Sequence, residues 1–179
     1  MEPVVEFGRR VETHSGQPVN RCYQCRKCSG GCPLTFAMDI LPHQLIRLVQ
    51  LGLSEKALQS KTIWVCAACR TCVSRCPNGI DTAAVADALK QMAVESGTAV
   101  AENKVYAFHQ SFLQSVRSNG RLHELGMIAG YKLKTKTYTQ DLAMGLGMFR
   151  RGKLKLMAEK ISRRDEIRQI FARSGEVKA

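Results

Sequence analysis

Eight cysteines fall in two runs of the same spacing, and none lies outside them. The first run is Cys22-Tyr23-Gln24-Cys25-Arg26-Lys27-Cys28-Ser29-Gly30-Gly31-Cys32-Pro33. The second, Cys66-Ala67-Ala68-Cys69-Arg70-Thr71-Cys72-Val73-Ser74-Arg75-Cys76-Pro77, follows at an offset of 44 residues. Both read C-x2-C-x2-C-x3-C-P, the bacterial run for [4Fe-4S] clusters, in which three thiolates wrap one corner of a cubane and the fourth ligates the other cluster. The expected sets are Cys22, Cys25, Cys28 and Cys76 on one cluster, and Cys66, Cys69, Cys72 and Cys32 on the second. Zinc also takes four thiolates, but structural zinc sites draw two close pairs from separated segments, not four cysteines from one short run. A disulfide framework fits less well still, because no secretory signal precedes these cysteines.

The chain has 179 residues, 45% of them hydrophobic, enough for one core with an appendage. No apolar export region opens it and no run of eighteen apolar residues interrupts it, so a cytoplasmic protein without a transmembrane segment is expected, with peripheral attachment to a membrane left open. The formal charge of +12 falls to about +8 once eight thiolates and two oxidised cluster cores are included. The charge is uneven: residues 131–179 hold thirteen Lys or Arg against five Asp or Glu.

Between the runs, Pro42 suits a first helical turn, Leu41, Leu45 and Leu48 follow at helical spacing with Ile46 and Val49, and Gly52 offers a stop. A short helix over about 54–60 would return the chain to Trp64, which reads as packing rather than as an electron stepping stone. After the second run, Asn78-Gly79 marks a turn and Asp81 an N-cap. Ile80 and Val85 then sit at staple positions, and Val85, Leu89 and Met92 line a helix that closes at Ser96-Gly97. Val105, Phe108, Phe112 and Val116 share a face of another helix ending at Asn119-Gly120, and a further helix is expected over 122–133. Lys132, Lys134 and Lys136 read as a solvated face, with a partner surface as the alternative. Gly145-Leu146-Gly147 lacks the preceding strand and third glycine of a dinucleotide loop, so Met144, Met148 and Phe149 read as a contact patch or core. The tail, with Leu154, Met157, Ile161, Ile167, Ile170 and Phe171 among charges, reads as one or two amphipathic helices. His14 reads as a solvated loop residue, since both clusters are already complete, and His43, His109 and His123 read as packed or surface residues.

The expected fold is all-α: an N-terminal arm or short helix over 1–20, a helical ferredoxin-like domain with two [4Fe-4S] clusters over 21–100, and a basic helical extension over 101–179 that docks a partner. The helical connector resembles the ferredoxin domains of multisubunit respiratory-type reductases. Four downstream segments narrow this: Cys76-Pro77-Asn78-Gly79-Ile80-Asp81, Phe108-His109-Gln110-Ser111-Phe112-Leu113, Gly120-Arg121-Leu122-His123-Glu124-Leu125-Gly126 and Gly152-Lys153-Leu154. With the cysteine runs, they resemble the C-type subunits of heterodisulfide reductases. The resemblance implies conduction: electrons pass from a flavin-containing, iron–sulfur A-type subunit through two clusters to a cysteine-rich B-type subunit that performs the disulfide chemistry. No substrate chemistry is expected on this chain, which has no cysteine to spare. A free ferredoxin-like carrier is the alternative, and a cluster-dependent nucleic-acid binder a weaker one, since the basic tail shows no nucleic-acid fold signature. Arg21, Arg26, Lys27, Arg70 and Arg75 lie within or beside the cysteine loops, where cations favour the reduced, more negative cluster.

Overall fold

The computed structural model describes residues 4–138, 142–153 and 161–174, and among them it holds helices and no strand. The all-α expectation is borne out. The chain divides into two compact units, Met1–Asn103 and Lys104–Ala179.

The first unit contains α1 (Val4–Ser15), α2 (Lys27–Gly30), α3 (Pro42–Gln50), α4 (Ser54–Leu58), α5 (Lys61–Val65), α6 (Thr71–Ser74) and α7 (Thr82–Glu95), with 3-10 turns at Val19–Arg21 and Thr35–Ala37. Its centre is α7, which packs against α1, α3, α4, α5 and α6. Asp81 caps this helix by accepting hydrogen bonds from the N–H groups of Ala83 and Ala84, and Ile80 and Val85 are buried as the staple requires. Burial extends well beyond the expected stripe of Val85, Leu89 and Met92 to Thr82, Ala83, Ala86, Ala88 and Ala93. Small residues on these faces let neighbouring helices close in from several sides, so α7 is a core helix rather than a half-buried one.

Within the segment read as an arm or short helix, α1 buries Phe7 and Val11, one turn apart, against α7 and α3. Pro42 occupies the first turn of α3, whose buried residues are Pro42, Leu45, Ile46 and Val49. The helix ends in a Schellman motif: Leu53 N–H bonds to the Leu48 carbonyl and Gly52 N–H to that of Val49, with Gly52 at φ 66°. Trp64 is buried, as packing demands.

The second unit contains α8 (Asn103–Asn119), α9 (Glu124–Thr135), α10 (Leu142–Arg150) and α11 (Arg164–Arg173). Between α8 and α9, Ser115 Oγ accepts from His123 N–H at 2.9 Å and Phe108 meets Tyr131 edge to face at 6.0 Å. His123 is the N-cap of α9, its Nδ1 accepting from Gly126 N–H. Here the buried side chains of α8 are Ser111 and Ser115, not the apolar stripe. A Cβ placed on Gly130 would lie 3.8 Å from Ser111 Oγ, so the two helices approach through small residues while Phe108 and Phe112 remain exposed. The glycine pair at 145 and 147 lies inside α10, with Met144, Leu146 and Phe149 exposed. Leu154 and Met157 fall outside the described residues.

Candidate metal centre

Each cysteine run folds into the same loop. Residues before and after the second cysteine take positive φ: Gln24 at 63° and Arg26 at 65° in the first run, Ala68 at 52° and Arg70 at 59° in the second. Non-glycine residues seldom adopt this conformation, and its recurrence at four matched positions marks a local requirement. Alternating backbone handedness turns successive N–H groups toward one concavity, the geometry that cradles anions and many iron–sulfur centres. The short helices α2 and α6 then carry Cys28 and Cys72, and the fourth cysteine follows each helix.

Two pockets result. One is bordered by Cys22, Cys25, Cys28 and Cys76, with Arg26, His43, Ile46, Ile80 and Thr82. The other is bordered by Cys66, Cys69, Cys72 and Cys32, with Arg70, Thr71 and an apolar wall that includes Leu34, Met38, Leu45 and Ala86. Each pocket thus gathers three cysteines of one run and the last of the other. Thr82, at the start of α7, borders both.

Long-range hydrogen bonds hold this exchange in place. Asn78, two residues past Cys76, donates from Nδ2 to the carbonyl of Arg21, which precedes Cys22. Gln17 Oε1 accepts from Asp81 N–H at 2.9 Å. On the other side, Asp39 accepts from the N–H groups of Lys61 at 2.9 Å and Thr62 at 3.0 Å, capping the helix that leads to Cys66. The two runs touch at Gly31, where the Arg75 side chain lies so close that a Cβ would meet its Cδ at 2.2 Å and displace it.

The polar surroundings suit anionic sulfur. Ile80 N–H lies 3.3 Å from Cys76 Sγ and Gln24 Nε2 lies 3.4 Å from Cys22 Sγ, both as donors. Burial pushes the Cys28 thiol up against hydrogen bonds from Ser29. It pushes Cys72 up against those from Ala83 and Thr82, with the charge of Asp81 adding to the rise. Cys69, which is exposed, is drawn down by Thr71. His43 Nδ1 sits 2.7 Å from Ser29 Oγ, and burial, then the charge of Arg26, hold its imidazole below the ordinary value. Arg70 donates to Asp81 Oδ2 from Nε at 2.8 Å and from Nη2 at 2.5 Å. Burial works to raise the Asp81 carboxyl, and the bonds from Arg70, Ala84 and Ala83 outweigh it, leaving the pKa lowered.

These residues fit a polynuclear iron–sulfur group. Among the described residues no three Cys, His, Asp or Glu side chains converge on one point, as a single zinc ion needs. Each pocket instead gathers four thiols along its lining, the ligand set that would hold a [4Fe-4S] cluster. The first pocket adds Arg26 and no carboxylate, appropriate for a group whose thiolates outweigh its core charge.

Comparison with known proteins agrees on the class. Residues 18–80 match the 4Fe-4S dicluster domain family, so the chain is an iron–sulfur protein of the dicluster kind. It is 32% identical over 136 residues to the second C-type iron–sulfur subunit of the CoB–CoM heterodisulfide reductase of Methanocaldococcus jannaschii, covering 75% of this chain and 73% of that protein. It is 34% identical over 79 residues to the C-type iron–sulfur subunit of the CoB–CoM heterodisulfide reductase of Methanopyrus kandleri, covering 44% of this chain and 41% of the relative. To the C-type subunit of the H(2):CoB-CoM heterodisulfide,ferredoxin reductase of Methanothermobacter marburgensis the identity is 28% over 92 residues, 51% of this chain and 50% of the relative. The chain belongs to the family of heterodisulfide reductase C-type subunits. It spans half or less of the length of the last two relatives. No helix among the described residues is long and apolar enough to cross a membrane.

Sequence reasoning missed several parts of the site. The Arg70–Asp81 pair, the Asp39 cap and the bordering position of Thr82 depend on approaches between distant segments. His43 reads from sequence as packed or surface; the structure sets it at the edge of a cysteine pocket.

Proposed function

We propose that this chain is the cytoplasmic electron-relay subunit of a heterodisulfide reductase-like complex, conducting between a flavin-containing A-type subunit and a cysteine-rich B-type subunit. The ligands are Cys22, Cys25, Cys28 and Cys76 for one [4Fe-4S] cluster, and Cys66, Cys69, Cys72 and Cys32 for the other. Bound clusters supply one-electron carriers. The chain's own residues orient the thiols, donate N–H groups to sulfur and exclude water on the apolar side. The observation that supports the pairing most directly is the division of the eight cysteines between two pockets, three from one run and one from the other. Residues 21–100 form the cluster domain and 101–179 the docking extension.

The test is anaerobic isolation of a tagged full-length chain from its host. Co-purification of a flavoprotein and a cysteine-rich protein, with about eight irons on this subunit, is the expected result. Recovery of the chain alone, loaded with clusters, would favour the free carrier.

A further inference from the structure

We infer that Asp81 makes the two sites electrostatically unequal, so that the site of Cys22, Cys25 and Cys28 holds the more easily reduced cluster. The inference rests on the ligand pairing proposed above.

The repeat shows where the symmetry fails. At the 44-residue offset Arg26 matches Arg70, both stand at positive φ, and each borders the pocket of its own run. Asp81 takes two hydrogen bonds from Arg70, and its side chain is only 5% exposed, so a buried carboxylate balances that cation. The position matching Asp81 in the first half is Ala37. Asp39, two residues on, is turned to the backbone of Lys61 and Thr62. Arg26 therefore has no carboxylate partner among the described residues, and its charge acts on His43 beside the same pocket.

Other charges do not restore the balance. Lys27 in the first run matches Thr71 in the second, which widens the difference. Arg75 takes the position that matches Gly31 and lies over that glycine, beside Cys32 and Cys76, which the proposed pairing assigns to opposite sites, and it borders neither pocket. Reduction adds one negative charge to a cluster, so an unbalanced cation nearby favours it, whereas a neutral Arg–Asp pair does little. Because Arg26 is exposed, the difference should narrow as salt rises.

The test is a potentiometric titration, read by electron paramagnetic resonance, on the anaerobically reconstituted full chain after its iron has been counted. The unsubstituted protein should show two separate one-electron steps. Asp81→Asn keeps a capping side chain but frees the Arg70 charge. It should raise the lower step by about threefold in equilibrium constant, ~28 mV at 59 mV per tenfold for one electron, and leave the upper step in place. Arg26→Gln should lower the upper step. Arg70→Gln should lower the lower one, because it leaves Asp81 unbalanced. Opposite shifts from Asp81→Asn and Arg70→Gln are not produced by mere loosening of the loop. Coincident steps in the unsubstituted protein, or movement of the upper step or of neither by Asp81→Asn, would overturn the inference. If Asp81→Asn does not retain its clusters, Arg26→Gln and Arg70→Gln decide: lowering different steps supports it, and lowering the same step or none overturns it. An iron count far below about eight in the unsubstituted protein would instead overturn the ligand assignment.

Discussion

Asp39 and the fourth cysteines join segments that lie far apart in the chain. Asp39 satisfies N–H groups at the start of α5 from 22 and 23 residues away, and Thr62 Oγ1 completes the tie by accepting from Ile40 N–H and sharing its single proton between Asp39 and the carbonyl of Ile40. Removing it in Asp39→Ala strands those donors and should cost about 1–2 kcal/mol, lowering the thermal midpoint of the cluster-loaded protein by ~4–8 °C per kcal/mol. Burial works to raise the Asp39 carboxyl, but the bonds from Lys61, Thr62 and Ile40 outweigh it and leave its pKa below the ordinary carboxylate value. A depressed folded-state pKa means that the stabilisation is complete above the unfolded value, about 3.9, and is lost as pH falls through the folded one. The gap in midpoint between the unsubstituted protein and Asp39→Ala should accordingly stay constant from pH 8 to 5; a gap already closing between pH 7 and 6 would assign the effect to a histidine. The cysteines admit a sharper experiment. If Cys32 serves the Cys66 site, Cys32→Ala with Cys66→Ala leaves one intact cluster of about four irons, while Cys66→Ala with Cys76→Ala damages both. Ligation within each run predicts the reverse, so iron counts on the two double variants distinguish the arrangements.

At the scale of the element, α7 explains what the fold depends on. Leu89 is fully buried at its centre, and Leu89→Ala should destabilise the protein by about 2–5 kcal/mol. Leu133→Ala on α9, where the side chain is 66% exposed, should stay within about 0.5 kcal/mol. Comparing the two in chemical denaturation of the loaded protein checks whether the core lies where the burial says. This helix was legible because its signals are local: an Asp cap, an Ile and Val staple, and Gly97 at φ 66° closing a Schellman end. α5 was not, because Thr62, Ile63 and Val65 are β-branched and the cap that holds the helix lies 22 residues upstream of Lys61. His123 reads from sequence as a packed or surface residue because histidine is not among the usual N-caps, yet its ring takes that role. The cysteine sets could be written down from spacing alone. The Asn78 tie to Arg21 could not, since nothing near Asn78 in sequence indicates a partner 57 residues away. The stripe on α8 was also legible, but its period could not say whether the chain itself would cover it.

For the whole molecule, that stripe becomes the main question. The fully buried apolar side chains lie between Phe7 and Ala93, whereas in the second unit the buried residues among those described are Ser111 and Ser115. Phe112, Leu113 and Ile128 are exposed there, as are Met144, Leu146 and Phe149 on α10. A carrier that diffuses between enzymes gains nothing from such surface, because exposed apolar groups beside charge promote association. A subunit gains an interface whose apolar centre is covered by its partner and whose basic rim meets acidic groups. Residues 131–179 hold thirteen Lys or Arg, the positive charge that such a rim needs. Phe112→Asp should therefore abolish recovery of partner proteins with the tagged chain while leaving its iron content unchanged, because residue 112 is exposed and lies in the unit without cysteines. Raising salt during isolation should weaken capture of the unsubstituted chain by a smaller factor, since screening removes the rim's attraction but not the apolar contact. Loss of iron in Phe112→Asp would show that the second unit supports the cluster domain directly. Undiminished partner recovery with full iron would exclude this face from the interface and leave α10 to be tested by Met144→Asp.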